Sequence, residues 1–227
     1  MRPRSRPGAG SPTTVAMAFA TGRLRVVLDK IIRAPALKSA AALLLASPVS
    51  FAAEPAAKPW EFPSVSVETG LLWQVGVNTP LAYRLAPSQF SWRSREVFGR
   101  ALPQGGRLLV RNRFTLSATW IQQGPESHYL ALGASPSVEL WNRAGTWALV
   151  GGAGGGLGGL DSRGVPGGQG QDFTFNWFGR VAVEHVAPGG LHLTAGVMFQ
   201  HLSNGGQTKP NPGIDALGFT LGAAWKF

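Results

Sequence analysis

The sequence has no cysteine in 227 residues, which excludes a disulfide framework, a thiolate nucleophile and a cysteine-based metal site. Charged residues make up only 14% of the chain, too few for a fold of solvated, charged helices. Long hydrophobic runs are missing as well. The apolar stretch Ala40–Ala46 (AAALLLA) is far shorter than the ~20 residues a helix needs to cross a bilayer, so no helical membrane anchor is expected. Acidic residues are scarce, 11 against 21 lysines and arginines, for a net charge of +10. That charge is unevenly placed: residues 1–53 hold eight basic residues against one acid, Asp29, which leaves 13 basic and 10 acidic residues for the remainder. The basic character belongs to the leader, and no nucleic-acid partner is expected.

The leader has the parts of a secretory signal in order: basic residues up to Lys38, the apolar run, then a short segment ending Ser50-Phe51-Ala52 with small residues where a signal peptidase reads. Residues 1–52 are therefore read as leader, with cleavage before Ala53. The stretch before Val26 is longer than a signal's basic region requires, and Met17 is a candidate start. Residues 53–63 form a short lead-in, and residues 64–227 the single folded domain.

What that domain has in abundance is glycine (31), phenylalanine (12) and tryptophan (8), arranged with period two. In Ser64–Val77 the odd positions Val65, Val67, Leu71, Trp73 and Val75 oppose Ser64, Ser66, Glu68 and Gln74. In Arg107–Trp120, Leu108, Val110, Phe114, Leu116 and Trp120 oppose Arg107, Arg111, Arg113 and Thr115. In Asp172–His185, Phe173, Phe175, Trp177, Val181 and Val183 oppose Thr174, Asn176, Arg180 and Glu184. A soluble sandwich and a membrane barrel both alternate in this way. Run length separates them, because strands of soluble proteins usually have about 5 or 6 residues and these runs are more than twice that. Tight turns at Asn142–Gly145 and Ala187–Gly190 alternate with longer loops at Gly156–Gly170 and Ser203–Gly213, as in outer-membrane barrels. The reading is all-β: an eight-stranded antiparallel transmembrane β-barrel of the outer membrane of a Gram-negative bacterium. Its strands are expected near residues 64–77, 81–94, 106–121, 127–141, 145–156, 171–186, 190–202 and 214–227. The second is poorly patterned and the fifth is rich in glycine. With both termini in the periplasm, the loop Ser203–Gly213 lies outside the cell.

Near that loop the apolar rows stop being apolar. The outward row of the seventh strand runs Leu191, Leu193, Ala195, Val197, Phe199 and then His201 and Ser203; that of the eighth, followed backward, ends on Asp215. A hairpin that sets His201 opposite Asp215 places Ser203 two residues along on the same face. Hydroxyl, imidazole and carboxylate in that order are what nucleophilic acyl transfer requires, since the imidazole takes the serine proton while the acid fixes its tautomer. One polar residue at a strand end reads simply as a headgroup-level contact; three catalytic types on one outward surface read as a site.

The segment Phe199–Phe227 resembles the lipid A 3-O-deacylase (PagL-type) family of outer-membrane hydrolases. The resemblance rests on His201, Ser203, Asn204, Gly205, Gly206, Asn211-Pro212-Gly213 and Asp215, the last standing where the best-known members have Glu, and on the final aromatic residue, Phe227. It implies a cofactor-free serine esterase that removes the acyl chain esterified at the 3-position of lipid A, with lipopolysaccharide of the outer leaflet as its partner. In that reading Ser203 is the nucleophile, His201 the general base and Asp215 the acid. The Asn204 side chain and the Gly206 N–H donate to the oxyanion.

Other features point elsewhere more weakly. Gly154, Gly156 and Gly159 satisfy a dinucleotide spacing, but neither a helix pattern nor a Gly-Lys-Ser/Thr follows. Glu184 and His192 share the inner row while His185 faces outward, so no metal is expected there. Lumenal Arg107, Arg111, Arg113, Arg180, Glu139 and Glu184 are expected to form a salt-bridge network filling a barrel too narrow for an open channel. The competing classes are a structural or adhesion barrel that retains the motif, and a transporter that binds through its lumenal arginines.

Overall fold

A computed structural model of the chain describes residues 58–76 and 81–227. The leader and residues 53–57 of the lead-in lie outside the described residues. Eight strands, β1 (Ser64–Gln74), β2 (Arg84–Ala101), β3 (Arg107–Gln123), β4 (His128–Trp141), β5 (Trp147–Leu160), β6 (Phe173–Val186), β7 (His192–Ser203) and β8 (Ile214–Lys226), follow one another in chain order. Each pairs antiparallel with the next, and β8 pairs with β1 to close the barrel. Closure leaves no free sheet edge, the condition for a sheet to sit in hydrocarbon.

The alternation resolves into an apolar outer wall and a polar interior. Val67, Phe90, Phe114, Leu116, Trp120, Leu132, Leu157, Trp177, Val181 and Leu221 are each at least half exposed, the reverse of a soluble sandwich, whose apolar rows point inward. Inside, Arg93 bridges Glu139 and Glu184, Arg111 reaches Glu139, and Arg113 and Arg180 both bind Glu68. His192 Nδ1 sits 2.6 Å from Glu184 Oε1. The interior network thus includes Arg93 and Glu68, which the pattern had not marked as members. Arg107 is not part of it: it pairs with Glu96 and packs on Trp60 at the rim near the chain termini.

The interior is not polar throughout. Toward the outer end it becomes a packed apolar layer that includes Leu72, Leu85, Ile121, Tyr129, Leu160, Met198, Leu202 and Ile214. At the end that carries the chain termini Leu109, Trp141, Ala148 and Val150 close over with Trp60. Trp60 belongs to the short 3₁₀ turn Pro59–Glu61 that precedes β1.

Two strands, β2 and β5, run well past their expected ends. β2 stays paired with β3 as far as Ala101, through register shifts between Arg93 and Glu96 and between Glu96 and Phe98; such a bulge swaps the faces and blurs the alternation, which hid the strand's extension. β5 runs on to Leu160, so Gly158 and Gly159 lie within the strand and not in the loop. Glycine is needed along this stretch, because a Cβ on Gly156 would run into the Leu132 carbonyl oxygen, and one on Gly158 would fall 2.7 Å from the Tyr129 ring.

Candidate active site

At the outer end of the β7–β8 hairpin, His201 and Asp215 are direct register partners. His201 Nδ1 lies 2.6 Å from Asp215 Oδ1. Aspartate is a methylene shorter than glutamate, and direct cross-strand pairing makes the shorter reach sufficient. The carboxylate has space because its neighbour is glycine: a Cβ on Gly76 would fall 2.5 Å from Asp215 Oδ2. Between these outward residues, Leu202 and Ile214 point inward, pair with each other and are fully buried. The apolar layer therefore anchors the strand ends that carry the polar groups, which remain accessible at 23% for the His201 side chain and 16% for Asp215.

Trp177 of β6 is the register partner of His201 on its other side. The two rings lie 5.5 Å apart, and Trp177 also packs on Phe199 at 4.9 Å. The imidazole thus sits between a carboxylate and an apolar wall. With Nδ1–H donated to Asp215, Nε2 is left as the acceptor.

Ser203 lies on the same outward row, paired with Phe175. Its hydroxyl is held by the loop that follows and is not hydrogen-bonded to His201: Ser203 Oγ donates to Asn211 Oδ1 at 3.2 Å and accepts from Asn211 Nδ2 and the Gly205 N–H, both at 3.1 Å. The same Asn211 side chain accepts from the Asn204 N–H at 3.0 Å. Asn211 was part of the recognised motif without a role; the structure brings its amide against the serine.

The two donors expected at the oxyanion have other partners. Asn204 is fully buried, and its Nδ2 donates to the carbonyl oxygens of Gln169 (2.6 Å) and Thr208 (2.9 Å). The Gly206 N–H donates to Asn204 Oδ1 at 2.8 Å. Gly205 and Gly206, at φ +68° and +77°, supply the left-handed turn that this arrangement needs.

The same three residue types also meet at Ser127, His128 and Asp161, on the outer rim. There the order is wrong for catalysis: Asp161 accepts from the Ser127 hydroxyl and from the backbone N–H groups of Ser127 and His128. The serine stands between the other two: its hydroxyl lies 2.8 Å from His128 Nδ1 and donates to Asp161, whose Oδ2 is 3.5 Å from the same ring nitrogen. Burial raises the Asp161 carboxyl's pKa, but these hydrogen bonds outweigh it and hold the group below its usual value. As the folded-state value is the depressed one, the clamp's contribution is present above the ordinary carboxylate pKa and fades as pH falls through the lowered one. This grouping ties two loops together. His185 likewise stands apart from Glu184 and His192, which meet inside the barrel; it is bonded to the Thr146 carbonyl and stacked on Trp147.

No curated protein matches the chain. Among solved structures, that of the outer-membrane enzyme PagL is similar, at 19% identity and a TM-score of 0.49, covering 72% of this chain and 99% of that one. The family model for lipid A 3-O-deacylase (PagL) matches residues 81–224, a span from the start of β2 nearly to the end of β8 that includes the whole His201–Asp215 segment. The chain belongs to the lipid A 3-O-deacylase family, whose members are ester hydrolases, and is an eight-stranded barrel of the outer membrane.

Proposed function

We propose that the protein hydrolyses the acyl ester at the 3-position of lipid A, with Ser203 as nucleophile, His201 as general base and Asp215 as the acid that orients it. The observation that carries this reading is the 2.6 Å His201–Asp215 contact on the outward wall, two residues from a serine on the same row. A site there meets a lipid of the outer leaflet and not a solute in the lumen, whose interior is filled by the ion network and the two apolar layers.

In the reaction the Ser203 hydroxyl turns toward His201 Nε2, a hydrogen bond that in free enzymes often closes only with substrate in place. Ser203 Oγ attacks the ester carbonyl carbon as its proton passes to Nε2, and Asp215 stabilises the imidazolium. Collapse of the tetrahedral intermediate breaks the bond to the sugar oxygen, which takes the proton from His201 and leaves as the free 3-hydroxyl. Water, activated by the same imidazole, then attacks the acyl-serine and releases the fatty acid.

For the negative charge on the intermediate, the Asn211 amide and the Gly205 N–H are the donors that already touch Ser203 Oγ. Asn204 and Gly206 support them by holding the turn. Removing one oxyanion donor costs about 10²–10³ in kcat, and Asn211→Ala is expected to fall in that range. The check is the rate of fatty-acid release by the purified, folded variant.

The reading as a whole is tested by the mass spectrum of lipid A from cells expressing the chain. Loss of one 3-linked acyl group is expected; an unchanged acylation pattern in cells with the folded barrel would contradict it.

A further inference from the structure

Beneath the site, a chain of hydrogen bonds runs through the outer loops. Glu126, in the loop between β3 and β4, is 3% exposed and has no cationic partner among the described residues. Its carboxylate accepts instead from two hydroxyls, Tyr83 to Oε2 at 2.8 Å and Ser162 to Oε1 at 2.8 Å. Ser162 Oγ accepts from the Gln169 N–H, and the Gln169 carbonyl accepts from Asn204 Nδ2 at 2.6 Å. Asn204 is the residue that follows Ser203.

The packing leaves little slack along this path. A Cβ on Gly168 would fall 2.4 Å from Ser162 Oγ and 2.8 Å from Glu126 Oε1, and one on Gly124 would fall 2.6 Å from the Tyr83 ring. Burial, together with the adjacent carboxylate, pushes the Tyr83 phenol well above its usual value, so it stays a donor. A buried carboxylate without a counter-cation is a costly filler. What it provides is a pair of strong, directional acceptors that fix two loops at once.

We propose that Glu126 is a positioning residue for the reaction: through Ser162 and Gln169 it fixes the Asn204 turn and with it the orientation of Ser203. The inference rests on Ser203 being the nucleophile. It assigns to a loop outside the motif a share in the catalytic geometry. The Glu126–Ser162 and Gln169–Asn204 bonds each cross from one outer loop to the next, and the Ser162–Gln169 bond closes the loop between them. Thr208 and Pro210 also hold Asn204 within its own loop, so loosening Glu126 loosens the loop after β5 and removes one of the holds that aim Asn204 and the serine.

The test is steady-state hydrolysis of lipid A micelles by the full barrel, with folding followed by heat-modifiable migration on gels. Glu126→Ala is expected to lower kcat at least about tenfold, the scale of a small misplacement of reacting groups, with KM within about twofold of wild type. Glu126→Gln, which keeps one acceptor oxygen, is expected to recover most of that loss. If the two act along one path, the double variant Glu126→Ala/Asn204→Ala has the kcat of Asn204→Ala alone. Should Glu126→Ala not fold, Ser162→Ala interrupts the same path and takes its place. Wild-type kcat in the folded variant, a loss confined to KM, or multiplicative losses in the double variant would overturn the proposal while leaving the reading of Ser203 intact. A folded wild type without turnover would overturn both.

Discussion

Replacing Ser203 with alanine is expected to lower lipid A ester hydrolysis about 10⁴-fold or more, the loss seen when a triad nucleophile is removed. The change removes one oxygen from a half-buried position on the outer row. Its three hydrogen bonds are all to the Asn211 side chain and the Gly205 N–H, none of them part of the barrel ladder. The folded fraction and thermal stability should therefore be nearly those of wild type, and the loss should lie in kcat. The measurement is single-turnover and steady-state release of fatty acid from purified lipid A. A folded Ser203→Ala variant with more than a few per cent of wild-type kcat would remove the serine from the mechanism.

The second large effect is expected for Asp215→Asn. The substitution keeps shape and size next to Gly76 but removes the charge that orients His201. An amide at 2.6 Å from Nδ1 can present its NH₂ to the ring, which favours the tautomer with the proton on Nε2, the wrong nitrogen for a base. In a serine protease the equivalent change costs about 10⁴ in kcat. Here the pair is partly exposed, at 23% and 16%, water competes for the same positions, and a loss of about 10³ is expected. Asp215→Glu is the informative companion. It restores the charge with a longer reach against a site whose tight neighbour is Gly76, so activity between the two is expected in the same assay.

Much of this was legible from parity alone. The rows that place His201, Ser203 and Asp215 outward are simple period-two series, and a single-residue slip of register would have sent all three into the lumen. Parity failed where the backbone is not periodic. The bulge in β2 hid Arg93, so the residue that bridges Glu139 and Glu184 was missed. Arg107 was assigned inward because it begins a clean row; at a strand end the side chain met Glu96 and Trp60 first. Gly158 and Gly159 of β5 read as loop because a missing side chain gives no phase, although close approach to β4 requires glycine at Gly158.

The loop chemistry was the least readable part. The motif brought Asn204, Gly206 and Asn211 into view together but not their hydrogen bonds, which depend on two left-handed glycines and on contact with a distant loop through Gln169. The apolar outer layer was also unforeseen, since Leu72, Leu85, Leu202 and Ile214 sit on rows whose other members are mostly polar or small. Each of these rows changes character along its length: the charged middle fills the barrel, and the apolar end gives the site a rigid floor.

The central claim is that a serine on the lipid-facing wall is the group that becomes acylated. The most direct measurement is the intact mass and peptide map of the folded barrel after reaction with a long-chain alkyl phosphonate ester. One phosphonyl group on Ser203 is expected, with labelling abolished in His201→Ala and hydrolysis lost in step with labelling. Label on another residue, or complete labelling of Ser203 with lipid A hydrolysis unimpaired, would contradict the account.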